Sequence, residues 1–145
     1  VRLKRGLTIG LVVVGVLVLL VALVVTDVIR IGTVTLHLDR ETYRPHHTAT
    51  MTFRNRSTSV VFHGYRFEVQ RFEDGDWVRV PFGLGLVESI ALILRPGQSF
   101  EQELSLRQGF VEPPEPGRYR VVKEFRIGAI HGTEHTLVAE FHIEG

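Results

Sequence analysis

The residues of this chain best suited to chemistry are its seven histidines. His46-His47, His63, His131 with His135, and His37 with His142 offer imidazoles of the kind that hold zinc or copper. The His131-x-x-x-His135 spacing would place both rings on one face of a helix, but here it spans a glycine-containing hairpin. With no cysteine and one methionine, the chain has no thiolate for a blue-copper centre. Histidines on the surface or in loops, with no metal and no cofactor, are the expectation.

Carboxylates come next. A glycosidase needs two carboxyls facing each other across a cleft, about 5–9.5 Å apart. Glu101 and Glu103 share one strand face, and Glu73, Asp74 and Asp76 crowd a turn, so both groups read as solvated surface. Serine has neither a supporting base nor a nucleophile-elbow motif. Lys123 occupies a dry-face position between Val121 and Phe125. An amine buried there needs a partner or sheds its charge; snorkelling at a sheet end or pairing with a glutamate is the expected resolution. No catalytic residue emerges, and the chain reads as a non-enzyme. The remaining lead is a contact surface. Phe82-Gly83-Leu84-Gly85-Leu86-Val87 is apolar and glycine-softened, and Ile90–Leu94 continues it. Exposed, it would be a patch for a partner or a bilayer; buried, it would cap a core. Trp77, Phe82, Leu84 and Leu86 are the candidate partner-binding residues.

The elements that must position these residues fall into two parts. Leu7–Val25 is a run of nineteen residues without a charge, preceded by Arg2, Lys4 and Arg5. As a helix it would be about 28 Å long, close to the ~30 Å hydrocarbon core of a bilayer. Basic residues on its N-terminal flank keep that side in the cytoplasm. The run exceeds the apolar region of about 7–15 residues in a cleaved signal, and Val21-Ala22-Leu23 and Val25-Thr26-Asp27 are poor cleavage sites. The expected organisation is a basic cytoplasmic tail (1–6), a transmembrane signal anchor (7–25), a short linker (26–32) and an extracytoplasmic domain (33–145). The expected location is the cell membrane, crossed once. Of the 17 basic residues three lie in the tail, which leaves 14 against 16 acidic ones. Such a balance lacks the basic excess of a nucleic-acid binder.

The second part alternates with period two. Val34, Leu36 and Leu38; Ala49, Met51 and Phe53; Tyr65, Phe67 and Val69; Phe100, Leu104 and Leu106; Tyr119, Val121, Phe125 and Ile127; and Leu137, Ala139, Phe141 and Ile143 each form a dry face opposite a polar one. Glu73-Asp74-Gly75-Asp76 signals a tight hairpin joining Tyr65–Phe72 to Trp77–Val80. Arg95-Pro96-Gly97-Gln98 signals a β-turn. Glu112-Pro113-Pro114-Glu115-Pro116-Gly117 breaks the chain before a new strand, and places Tyr119 where a tyrosine corner would have it. The fold class expected is all-β, an immunoglobulin-like sandwich of seven to eight antiparallel strands after a single transmembrane helix.

The order of motifs is similar to that of a bacterial immunoglobulin-like domain family found in envelope and lipoprotein-like proteins. It runs through Asp39-Arg40-Glu41-Thr42-Tyr43, Phe53-Arg54-Asn55-Arg56-Ser57, Phe67 to Pro81, Leu94-Arg95-Pro96-Gly97 and Pro116 to Glu124. The resemblance covers about Thr33 to Gly145. It implies an accessory module and carries no catalytic residue. The function expected is that of a membrane-anchored interaction or envelope module. Its partners would be the bilayer, through residues 7–25, and another membrane or envelope protein, not nucleic acid. A small-ligand or metal-binding module and a protease-inhibitor-like sandwich are the alternatives.

Overall fold

Alternation becomes two stacked sheets in the computed structural model, which describes residues 34–83 and 90–145. The span Leu7–Val25 with its flanks, and Leu84 and Leu86, lie outside the described residues. Among the described residues no helix is long and apolar enough to cross a membrane. Thr33–Gly145 is one compact unit.

The strands are β1 (Val34–Leu38), β2 (Thr42–Tyr43), β3 (Thr48–Asn55), β4 (Val61–His63), β5 (Glu68–Glu73), β6 (Asp76–Val80), β7 (Leu92–Leu94), β8 (Ser99–Ser105), β9 (Gly117–Ile127) and β10 (Glu134–Ile143). One helical turn, α1 (Leu106–Gly109), follows β8 and is capped by Ser105, whose hydroxyl accepts from the Gln108 amide. The smaller sheet runs β1-β3-β8. In the larger, β10 lies between β2 and β9, and the far side of β9 is shared by β4 and β5. β7 extends the sheet beyond β4, and β6 extends it beyond β5. The dry rows close on one core: Val34, Leu36, Ala49, Met51, Phe53 and Leu104 from one layer, Val61, Val69, Tyr119, Val121, Phe125, Phe141 and Ile143 from the other.

Among the described residues ten strands stand where seven or eight are expected. The difference comes from interruptions. The first strand is split at Asp39–Glu41 between the two sheets, β1 pairing β3 and β2 running parallel to β10. The strand expected from Tyr65 starts only at Glu68, and a separate short strand, β4, ends ahead of it at His63. Between them, residues Gly64 to Phe67 leave the ladder, and Tyr65, whose place in the alternation predicts burial, is exposed.

Two local features fix the frame. Asp74 and Gly75 take φ of 50° and 93°, the paired left-handed conformation that suits a two-residue hairpin between twisted strands. Their turn puts Glu73 opposite Asp76 and Phe72 opposite Trp77. Tyr119 donates its hydroxyl to the Glu115 carbonyl at 2.7 Å, so the tyrosine corner is formed. From it an aromatic chain crosses the end of the core: Tyr119 stacks on Phe141, Phe141 meets Tyr43 edge-on, and Phe110 bridges Tyr119 to Phe82.

Candidate functional site

The outer face of the larger sheet can be written row by row from its register. At one end Trp77 of β6 lies opposite Phe72 of β5, with their rings 5.2 Å apart. The next row is Arg79, Gln70, Arg120 and Glu140, crossing β6, β5, β9 and β10. After it come Glu68, Val122 and Val138. Two guanidinium groups from β9 cover the aromatic end. Arg120 lies 4.3 Å from the Trp77 ring centre, and Arg118 lies 5.3 Å from both Trp77 and Phe72. Each arginine is also oriented from the side. The Arg118 guanidinium donates to one oxygen of Glu140 at 2.9 and 2.7 Å, and Arg120 donates to Gln70 Oε1 at 2.7 Å. Planar guanidinium over indole is the favoured cation–π geometry. Trp77 is half-buried, whereas Phe72 and Val138 are exposed.

Phe82 takes a different place. Its ring packs against Phe67 and Phe110, and the chain beside it is held by a Gly83 amide donating to the Gly109 carbonyl at 2.6 Å. A Cβ on Gly109 would run into the Phe82 ring, so glycine there is what admits the aromatic. Trp77 and Phe82 therefore do not share a surface: the first lies on the outer face of the hairpin, the second against the core. Sequence reasoning found Trp77 but missed Phe72, Arg118 and Arg120. The Asp-Gly turn sets Phe72 opposite Trp77, so that pair was within reach. The arginines required knowing that β5 lies beside β9.

A second cluster sits inside the sandwich. Lys123 is fully buried in the middle of β9. It neither snorkels nor meets a glutamate. Its Nζ donates to the Gly64 carbonyl at 2.6 Å and, more weakly, to the Arg66 carbonyl at 3.4 Å. These carbonyls belong to the interruption between β4 and β5, where the ladder no longer occupies them. Gln102 of the opposite sheet donates to the intervening Tyr65 carbonyl at 3.0 Å. The Lys123 ammonium also lies 5.7 Å from the ring centres of Phe53 and Phe100. Burial lowers its pKa to about 8.

His63, expected at the surface, is instead 5 % exposed, with its ring between Phe53 and Phe100. Burial, reinforced by the Lys123 charge, lowers its pKa to about 4. The other histidines stay apart. His37 and His142 lie in different sheets, and His135 packs on Phe125. His46 and His47 touch each other, His47 accepting from the Arg44 amide at 3.1 Å. Among the described residues no three His, Asp or Glu side chains converge as a metal would require. A hollow of about 260 Å³ opens beside the strand interruption, its lining including His63, Gly64, Tyr65, Glu124 and Glu134. Glu134 is engaged there by Arg126 at 2.7 Å.

Two β-layers of this connectivity, a first strand divided between them and a tyrosine corner define an immunoglobulin-like sandwich carrying an arginine–aromatic outer face. The chain belongs to the family described as bacterial Ig-like domain, whose model matches residues 31–142. No curated protein matches it. Among solved structures it is similar to the sporulation control protein Spo0M from Bacillus subtilis, at 14% identity and a TM-score of 0.45. That match covers 78% of this chain and 49% of the other, so the chain spans about half the length of that protein. A likeness at that level bears on neither activity nor partners.

Proposed function

We propose that this chain is a non-catalytic Ig-like module, tethered to the cell membrane by Leu7–Val25 and displayed outside the cytoplasm. There it contacts another membrane or envelope protein through the outer face of its larger sheet. The observation that carries the contact reading is the Trp77–Phe72 pair held under Arg118 and Arg120. Tryptophan and arginine are the residues most enriched among those that dominate protein–protein binding energy. Here they are held in place by Glu140 and Gln70 before any partner arrives, which lowers the ordering cost of binding. Val122 and Val138 extend the patch with apolar surface. The tether supports the same reading: seven residues of linker (26–32) span at most about 24 Å, which favours partners in or near the same membrane.

Photo-crosslinking from the full chain in bacterial membranes tests this. A photoreactive residue at Val138 is expected to give a discrete adduct, and one at Glu101, on the wet face of the other sheet, none. Trp77→Ala should weaken the adduct at least tenfold, since residues of this kind contribute about 2 kcal/mol or more to binding. Equal adducts from both positions, or an adduct indifferent to Trp77→Ala in a variant that still unfolds cooperatively, would contradict the contact face.

A further inference from the structure

Among the described residues the β5–β6 hairpin has an open side: β6 pairs with β5, and no other strand pairs with it. The phase of its hydrogen bonding follows from the turn. In a two-residue hairpin the closing residues, here Glu73 and Asp76, exchange both main-chain bonds, and bonded and non-bonded pairs then alternate. Asp76, Val78 and Val80 thus spend their amides and carbonyls on β5. Trp77 and Arg79 direct theirs to the open side.

That edge carries two charged residues, Asp76 and Arg79, but neither a lysine nor a proline within it. It is five residues long, and Pro81 falls just beyond its end. Val78, on the other face from Trp77, is 45% exposed. The sequence Asp76-Trp77-Val78-Arg79-Val80 is also self-complementary when laid antiparallel against itself. In the register centred on Val78, all five residues find a partner. Trp77 then meets Arg79 of the second copy and the reverse, both as hydrogen-bonded pairs. Val78 meets itself as a non-bonded pair, the closer of the two kinds. Shifting by one residue toward the turn would draw Gly75 into the pairing. Shifting the other way would put the two Arg79 side chains opposite each other, like charges that repel. The Arg79 guanidinium, held at 3.5 Å from Glu68, is 77% exposed and within reach of a neighbouring ring.

We propose that two copies of this chain join edge to edge along β6, antiparallel and centred on Val78, so that their larger sheets become one. The two-fold axis makes the contact isologous and closed. Confinement of both copies to one membrane plane raises their effective concentration, so that a short edge is sufficient. The pairing rests on the membrane tether proposed above but goes beyond the contact reading and does not require that any other protein bind the outer face.

The chain contains no cysteine, which makes the test clean. Single-cysteine versions of the full chain are oxidised in bacterial membranes and read on non-reducing gels. In a non-bonded antiparallel pair the Cα atoms lie about 4.5 Å apart, within the range a disulfide spans. Val78→Cys should therefore form covalent dimer at least tenfold faster than Arg79→Cys or Thr136→Cys, whose positions do not meet their own copies. Equal rates at the three positions would overturn the proposal. As a second measurement, two differently tagged copies carrying Val78→Arg or Val78→Asp should each fail to co-purify with themselves and should co-purify when mixed. Failure of the mixed pair to associate would likewise overturn it. Neither outcome alters the adduct expected from Val138, so the two readings fail separately.

Discussion

Asn55→Ala is expected to cost this domain about 3–5 kcal/mol, the summed effect of several orphaned buried groups at roughly 1–3 kcal/mol each. Asn55 is fully buried at the end of β3. Its amide nitrogen donates to the Ser59 carbonyl at 2.8 Å and to the Leu94 carbonyl at 2.9 Å. Its side-chain oxygen accepts from the Ser57 amide at 2.9 Å and the Ser57 hydroxyl at 2.6 Å. Its own main chain holds the Arg95–Gln98 turn, through Gln98 and Gly97. The side chain thus fastens the loop after β3 and the end of β7, while the main chain of the same residue fastens the approach to β8. Alanine leaves the Leu94 carbonyl and the Ser57 amide, both in buried bonds to Asn55, without these partners. Urea unfolding is the measurement. A loss below about 1 kcal/mol, typical of a single ordinary hydrogen bond, would mean that the loop reorganises and that Asn55 is not its hub.

Lys123→Ala should cost about 3–5 kcal/mol, combining a cavity where the lysine stem packs beside Phe53 and Phe100 with unpaired carbonyls at the strand interruption. Lys123→Met separates the two causes, since it keeps most of the volume and loses only the donor; its smaller loss measures the carbonyls. The pH dependence adds a distinct signature. Lys123 titrates near 8 in the folded chain against an ordinary value of 10.5. Between those values the unfolded chain binds the proton and the folded chain does not, so stability rises with pH. His63 gives the same sign in a lower window, from about 4 to its ordinary 6.5. Its contribution is complete above 6.5 and is lost as pH falls toward 4. Each window is worth on the order of 3 kcal/mol. The unfolding free energy should therefore climb in two steps, and Lys123→Met should abolish the upper one. A curve that is flat or falling from pH 8 to 10 in the unmodified protein would contradict the buried, depressed amine.

Much of the fold was legible because burial on one side of a strand writes itself into the sequence with period two. β1, β3, β8, β9 and β10 follow from Val34–Leu38, Thr48–Asn55, Phe100–Leu104, Tyr119–Ile127 and Leu137–Ile143. The Asp74-Gly75 turn gave the hairpin and its register. Short or interrupted strands leave too few residues for a period. β2 has two residues, β4 and β7 have three, and the alternation of Tyr65, Phe67 and Val69 conceals a break in the ladder. The break is invisible in sequence because what satisfies it is remote: Lys123 and Gln102 reach its carbonyls from two other strands. For the same reason the lysine was expected to meet a glutamate, when its partners are main-chain oxygens without any residue signature. Asn55 stands on the dry side of β3, which marks it as unusual, but its partners lie in loops that no pattern specifies. At the outer face, Trp77 was visible as the single tryptophan. Its arginine cover depends on β5 lying against β9, a pairing across about 50 residues that composition does not encode.

The proposed display of the sandwich outside the cytoplasm, on the apolar run before it, can be tested directly. The most direct measurement uses the absence of cysteine once more. The full chain carrying Thr136→Cys, on the outer face of β10, is expressed in bacteria, and intact spheroplasts are treated with a membrane-impermeant maleimide. Labelling equal to that in lysed cells, with the protein in the carbonate-resistant membrane fraction, is the predicted result. Labelling that appears only after lysis would place the domain in the cytoplasm and contradict the account.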